Sequence, residues 1–597
     1  MLFSYRQMRR SWLASHRLAA SWAAIAAFLA VVQMPGHNAQ PALAAVSTAD
    51  HRNPLSVILI SVDTLRADRL SCYGYKRAST PHIDRIGAGG TIFSQVNSQV
   101  PLTLPSHVSL LTSTYPFVNG VEDNGQQLAP NAVTLARVLK SHGYRTAAFV
   151  GGFVLDRRFG LDQGFDVYEG PSDPRSQPGK DPGDIKRFGE DVTRAATQWL
   201  DRNADQPFFL FVHLYDLHTP YTLPASEQRH GVGYDAQLGY VDKVLGGFWA
   251  ALEQRHLING ALVVFTGDHG ESLHDHGEST HGYFVYQSTL RVPLIIHWPA
   301  GLPGFATQLS EPVSLLDIAP TLLQIAGIDR PAQFQGHNLV NLLTGTAAAK
   351  TGESEQIYSE SLYPHAHFGT AGLRALRIGR HKYIQAPRPE FYDLVEDPGE
   401  EHNLYETQKS MALEFRRRLE LLRARYGSRT TSRAAEPSPE VIAQLKSLGY
   451  LAGPKSHAST FESGVDPKDR ITEYEKYGRA IAEANAGHLA ASNATLEQLL
   501  DKDPGMVDVR LTLGLNQQRL GRHEEAAGSF KAVLKQAPSS AVAHFNLAVS
   551  ENALGQQDDA LKEWRLPWLL PLTICAPKRC LRTCICRRGT TSVRAPT

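Results

Sequence analysis

The sequence predicts an α/β fold, with a mixed, mostly parallel sheet flanked by helices, followed by an all-α repeat domain. Three observations predict it. Short apolar runs rich in β-branched and aromatic residues, at 55–62 (LSVILISV), 146–150, Phe208–Leu214 (FFLFVHL) and 261–266 (ALVVFT), alternate with helical patterns at 133–142 and 187–203. Runs that are apolar on both faces belong to buried strands of a sheet covered by helices on either side. Three of these runs end in polar clusters, beginning at Asp63, Tyr215 and Gly267, and open α/β sheets bind ligands at that carboxyl edge. From residue 471 the chain turns to helix formers with a 34-residue period.

At 597 residues the chain is too long for one ordinary domain, and its 42% hydrophobic content suffices for sizeable cores. A net charge of +1 argues against a nucleic-acid partner. The 24 histidines, many of them in motif-rich stretches, fit metal chemistry. Cys72 is the only cysteine in the first 560 residues, so the body of the protein carries no disulfide framework. At the N-terminus, Arg6, Arg9, Arg10 and Arg17 precede an apolar stretch over 18–32, and Ala42-Leu43-Ala44 offers a small-residue cleavage site. Residues 1–44 therefore read as an export signal to the periplasm or the exterior, the Arg9-Arg10 pair faintly suggesting the twin-arginine route. Left uncleaved, the segment would anchor the chain to the inner membrane, though its apolar stretch is short for a span.

The chain is organised around residues 100–116 (VPLTLPSHVSLLTSTYP), where Thr103 precedes a helical run. Taken alone, a hydroxyl there is an N-cap. It also faces unpaired N–H groups and the positive end of a helix dipole, which suits a nucleophile attacking an anionic ester. The stretch resembles the active-site signature of the sulfatase branch of the alkaline phosphatase superfamily. In that signature a Cys or Ser, one residue, Pro, a small residue and Arg are followed by a Leu-x-Thr-Gly run. Thr103, Pro105, Ser106, Leu110, Leu111 and Thr112 fit. Two positions depart: Thr103 stands at the residue that becomes formylglycine in true sulfatases, and His107 at the Arg. Threonine cannot become formylglycine, so the resemblance is to phosphodiesterase and phosphotransferase members that use Thr directly.

Further motifs follow in the family's order over residues 54–425. Asp63-Thr64-Leu65-Arg66 resembles the first metal segment, with Thr64 where a second Asp is usual. Gly267-Asp268-His269-Gly270-Glu271 resembles the second, with His269 where true sulfatases have Asn. The resemblance implies a metal held by Asp63, Asp268, His269 and the Thr103 hydroxyl. An imidazole in place of an amide favours Zn²⁺ or Mn²⁺ over Ca²⁺, with one or two ions bound. His218, past the strand ending FVHL, resembles a substrate- or metal-binding His. His281 stands near the position of a sulfate-contacting Lys and would protonate the leaving oxygen or complete a second metal site. Asp216, His276 and His107 are the further candidates for a second ion or for substrate, against the alternatives of a turn residue and a solvated His-rich loop. Phe391-Tyr392-Asp393-Leu394, Asp397-Pro398 and Asn403-Leu404 match the family's C-terminal small sheet.

After a Ser/Thr/Arg/Pro-rich linker (427–470), residues 471–565 repeat. Pro504 and Pro538, Leu520-Gly521 and Leu554-Gly555, Ala526 and Ala560, and Phe530 and Trp564 are each 34 apart, and Gly487 lies 34 before Gly521. This resembles tetratricopeptide repeats, which implies docking of a protein partner. Residues 566–597 break the pattern: Pro567 interrupts the helix, and Cys575, Cys580, Cys584 and Cys586 have no zinc-like spacing. This tail reads as an out-of-frame translation of a longer array. The expected function is a metal-dependent hydrolase of sulfuric or phosphoric esters, its substrate an anionic ester. Two rivals stand beside it, a transferase passing the group to an envelope lipid or glycan, and an inert repeat scaffold.

Overall fold

The computed structural model describes residues 55–171, 186–228, 232–300, 305–345, 356–427 and 464–564. The export or anchor segment 1–44, most of the 427–470 linker and the tail 566–597 lie outside these residues.

The main sheet is built from β1 (Ser56–Val62), β2 (Gly90–Asn97), β3 (Arg145–Val150), β4 (Val167–Glu169), β5 (Phe208–Leu214), β6 (Ala261–Gly267), β7 (Arg291–His297), β8 (Gln308–Leu309) and β9 (Val313–Ser314). Its order is β4-β3-β5-β1-β6-β7-β2-β8, with β9 also pairing β2. Every pairing is parallel except those of β7, which runs antiparallel to β6 and β2. The expected mostly parallel sheet is therefore present, with β1 central between β5 and β6. The strand Gly90–Asn97 is not among the expected elements. Its polar Thr91, Ser94, Gln95 and Asn97 break any apolar run.

The covering helices include α1 (Pro81–Ala88), α2 (Thr103–Thr112), α3 (Gly189–Asn203), α4 (Tyr234–Gln254) and α5 (Ile318–Ile325). Alternation along β1 sends Ile58, Ile60 and Val62 to a core with α1, α3 and α4. Val57 and Leu59 go to the opposite core, with Leu104 and Val108 of α2 and Leu322 of α5. Ser61 continues that second face, in register with His213 on β5 and Thr266 on β6. α5 is preceded by a 3-10 turn at Leu315–Asp317, held by a capping box between Ser314 and Asp317.

A second, antiparallel sheet runs β10 (Gln356–Ser361), β11 (Leu373–Ile378), β12 (His381–Gln385) and β13 (Glu390–Asp393) in order. Phe415 and Leu419 of α6 (Lys409–Gly427) bury it against Tyr358, Leu376 and Phe391. Beyond it lie three helix pairs: α7 (Ile471–Asn485) with α8 (Leu489–Lys502), α9 (Val507–Arg519) with α10 (His523–Gln536), and α11 (Ala541–Ala553) with α12 (Gln557–Trp564). The turn inside each pair carries Gly487, Gly521 or Gly555 at φ 85, 75 and 78. This left-handed C-cap explains why glycine recurs every 34 residues. No helix among the described residues is long and apolar enough to cross a membrane.

Candidate active site

Strands β5, β1 and β6 end side by side, and the residues just past them converge. Asp63 follows β1, Asp268 and His269 follow β6, and Tyr215 to His218 follow β5. Thr103, first residue of α2, brings its hydroxyl to the same place. The turn after β1 needs unusual backbone, with Thr64 at φ 54. A β-branched residue holds such a conformation at a cost of about 1–3 kcal/mol, and only when its surroundings enforce it. Here the Thr64 N–H donates to Asp268 Oδ1 (3.2 Å) and its hydroxyl to the Leu217 carbonyl (3.1 Å). Thr64 thus ties the three strand ends together, and its hydroxyl is spent on backbone.

The donor atoms form one tight group. Thr103 Oγ1 lies 3.3 Å from His269 Nε2 and 3.5 Å from Asp63 Oδ1. His269 Nε2 lies 3.4 Å from Asp268 Oδ2 and 3.8 Å from Asp63 Oδ1. Bonds of about 2.0–2.2 Å at tetrahedral angles put donor atoms roughly 3.3–3.6 Å apart, so four atoms with these spacings fit one shared ion. Asp63 Oδ2 and Asp268 Oδ2 are buried without a hydrogen-bond partner, so ionised carboxylates here call for a cation. His269 Nδ1 is 2.9 Å from the Gly270 carbonyl, which can only accept; the proton is therefore on Nδ1 and the Nε2 lone pair faces the group. Asp63, Asp268 and His269 can hold a metal ion.

The sulfatase family profile matches residues 56–328, and that of the N-sulphoglucosamine sulphohydrolase C-terminal region matches 277–425. By these matches the chain is a sulfatase-like hydrolase. It is an enzyme, a hydrolase acting on ester bonds. Human arylsulfatase A is 26% identical over 502 residues, covering 70% of this chain and 92% of its own. The ulvan-active sulfatase of Formosa agariphila is 25% identical, covering 60% and 78%. The phosphonate monoester hydrolase of Agrobacterium radiobacter shares the fold, with a TM-score of 0.53 at 22% identity, covering 62% of this chain and 96% of its own. A tetratricopeptide repeat profile matches residues 508–540.

Behind the donor group lies a second polar layer, in which only His107 was expected, as a candidate for a second ion or for substrate. His107, one turn along α2 from Thr103, turns inward. Its Nδ1 donates to the Thr103 carbonyl (2.7 Å), and Nε2 accepts from Ser61 Oγ (2.9 Å). Nδ1 also lies 3.6 Å from Asp268 Oδ2. His213 on β5 puts Nε2 3.2 Å from Asp63 Oδ2, out of hydrogen-bond alignment, with its ring 4.8 Å from His107. His107, His213 and Asp268 also form a metal-sized group, but both His107 nitrogens are engaged within the fold. The available signal was Ser61 and His213, polar residues one position before the ends of largely apolar strands, facing the same side in register. Glu271, also unassigned, shares a hydrogen bond with His281 Nδ1 at 3.1 Å.

The predicted residues divide. His218 and His281 join the site: their rings are 5.0 Å apart, and His281 is 4.5 Å from His269. Both keep slight exposure, 3% and 6%, where Asp63, Thr103, Asp268 and His269 have none. His218 donates Nδ1–H to the Thr219 carbonyl and stacks on Tyr215. Asp216 does not join the donor group. It accepts from the Gly189 N–H (3.1 Å) at the start of α3, with the Lys186 charge nearby. Two residues beyond the strand end, its side chain serves a helix N-terminus. His276 is also elsewhere, stacked on Tyr286 at 3.6 Å and bonded to the Gly399 carbonyl.

Burial dominates the electrostatics. It pushes the Asp63 carboxyl well above its usual range despite the Thr103 hydrogen bond, and Asp268 likewise, helped by the Asp63 charge. It holds His107, His218 and His269 neutral, and lowers His213 and His281 to about 3. Neutral imidazoles are the state a divalent cation requires of its ligands, whereas the two carboxyls must give up protons for it to bind.

Proposed function

We propose that this chain is a metal-dependent hydrolase of phosphoric or sulfuric esters that uses Thr103 itself as the nucleophile. The carrying observation is the Thr103 hydroxyl, 3.3 Å from His269 Nε2 and 3.5 Å from Asp63 Oδ1 at the N-terminus of α2. Asp63, Asp268, His269 and Thr103 would hold the ion, Zn²⁺ or Mn²⁺ in preference to Ca²⁺ because one donor is an imidazole nitrogen. Bound there, the ion would lower the hydroxyl pKa and offset the ester's negative charge.

Thr103 Oγ forms a bond to phosphorus or sulfur as the bond to the leaving oxygen breaks with its electron pair. His281 and His218, neutral and slightly exposed, can take the hydroxyl proton and pass it to the leaving oxygen. Glu271 orients His281 through its 3.1 Å hydrogen bond with Nδ1. Water then attacks the threonyl ester, releasing product and returning a proton to Thr103. His107 holds the Thr103 carbonyl and so fixes the first turn of α2.

The repeat array offers a surface for a protein segment, and the basic-then-apolar segment 1–44 directs the enzyme to the periplasm or the exterior. The test uses the purified chain and Thr103→Ala with Zn²⁺, Mn²⁺ or Ca²⁺. Substrates are 4-nitrophenyl phosphate, bis(4-nitrophenyl) phosphate and 4-nitrophenyl sulfate. Metal-dependent phosphoester turnover, lost in Thr103→Ala and kept in Thr103→Ser, is expected. Turnover surviving in Thr103→Ala refutes the nucleophile assignment.

A further inference from the structure

The first two repeats reach the active site through two separate hydrogen-bond chains. On α7, the Tyr474 hydroxyl donates to the His281 carbonyl (3.2 Å) and meets Thr280 Oγ1 (3.1 Å). The next residue, Glu475, accepts from the Ser279 N–H (2.8 Å). Tyr283 completes this clasp, its hydroxyl on the Pro467 carbonyl (3.1 Å) and its ring 4.7 Å from that of Tyr474. The backbone that carries His281 is thus held from outside the catalytic domain.

The second chain starts on α9. Asp508 Oδ2 is 2.9 Å from His367 Nδ1, and His367 Nε2 is 2.8 Å from Asp123 Oδ2. Asp123 Oδ1 accepts from the Asn124 N–H (2.8 Å), and Asn124 Oδ1 accepts from the Leu104 N–H (2.9 Å), next to Thr103. His367 is buried between two carboxylates, and their charge and hydrogen bonds outweigh its desolvation and raise it to about 9, so both nitrogens donate. A buried charged triad contributes little net stability compared with apolar packing, and its best-attested use is to fix register. Here it fixes the repeats against the loop that caps α2.

We propose that the first two repeats are a positioning element of the active site, Tyr474 setting the backbone of His281 and Asp508, through His367, Asp123 and Asn124, setting the first turn of the Thr103 helix. The proposal rests on the reading of Thr103 and His281 as site residues. The repeat domain then serves catalysis directly, in addition to any partner it docks.

The test uses the full chain with Tyr474→Phe, Asp508→Ala and Asp508→Asn, the last retaining an acceptor for His367 Nδ1. Kinetics use whichever 4-nitrophenyl ester the parent hydrolyses, beside Tm and hydrogen–deuterium exchange of 279–283 and 103–108. Misplacing a reacting group slows chemistry more than binding, so kcat is expected to fall about tenfold in Tyr474→Phe and Asp508→Ala. KM should stay within about twofold, and Asp508→Asn should recover most of the loss. Exchange should rise at 279–283 in Tyr474→Phe and at 103–108 in Asp508→Ala. Unchanged exchange at both segments, raised exchange with kcat unaltered, or a kcat loss that follows a general fall in Tm and is not recovered by Asp508→Asn overturns the proposal. A parent inactive on all three esters contradicts the proposed function instead, and the exchange pattern alone then decides the positioning.

Discussion

Replacing Asp63 by Asn should move metal-free stability and metal binding in opposite directions. Asp63 is fully buried just past the central strand, and burial raises its carboxyl well above the usual range. A raised carboxyl favours folding below the unfolded pKa near 3.8, and that contribution is lost as pH rises toward the folded value. Asn resembles the protonated carboxyl in shape and carries no such penalty. In EDTA the Asp63→Asn protein should therefore melt at or above the parent temperature, by a margin that grows from pH 5 to pH 8. Saturating metal reverses the order. An ion at a hundredfold over its Kd adds about 2.7 kcal/mol to the parent. The catalytic region, residues 56–425, unfolds with an entropy of about 0.8 kcal/mol/K at ~2.1 cal/mol/K per residue. The parent Tm should then rise by about 3–4 °C on these figures, and the variant's by much less. Scanning calorimetry with EDTA and with Zn²⁺ or Mn²⁺ measures both. A variant that melts below the parent in EDTA at pH 8, yet gains the same metal increment, would refute the placement of Asp63 in the metal group.

Other outcomes follow from the same geometry. Since burial raises both Asp63 and Asp268, metal must displace protons from them. Affinity should rise from pH 5 to pH 7 with net proton release, measured by titration calorimetry in buffers of different ionisation enthalpy; pH-independent binding would contradict this. Ser61→Ala leaves His107 Nε2 buried without its donor and should cost about 1–3 kcal/mol in denaturant unfolding. Asp216→Asn should leave metal affinity unchanged, since Asp216 serves the start of α3. A tenfold loss of affinity there would restore it to the site.

The identity of the site's main carboxylates was readable because they stand just past apolar strands. A run such as LSVILISV specifies a buried strand locally, and the edge where it ends is a chemical position before any fold is known. Asp63, Asp268 and His269 stand where that rule looks and Thr103 at a helix start, but it was the resemblance to the sulfatase motifs that implied their roles. Asp216 satisfied the same rule, yet its side chain points to the α3 N-terminus. Position at a strand end does not specify direction two residues further on. Gly90–Asn97 shows the converse, a strand whose polar residues hide it.

The sequence by itself determined the alternation of strands and helices, the repeat period and the donor types at the sheet edge, because periodicity, turn glycines and strand ends are encoded within a few neighbouring residues. Tertiary structure alone decided which side chains share the site. Ser61 meets His107 across 46 positions, Thr103 meets His269 across 166, and Ser279 meets Glu475 across 196. Those meetings depend on strand register and on how the repeats pack, and no local pattern carries either.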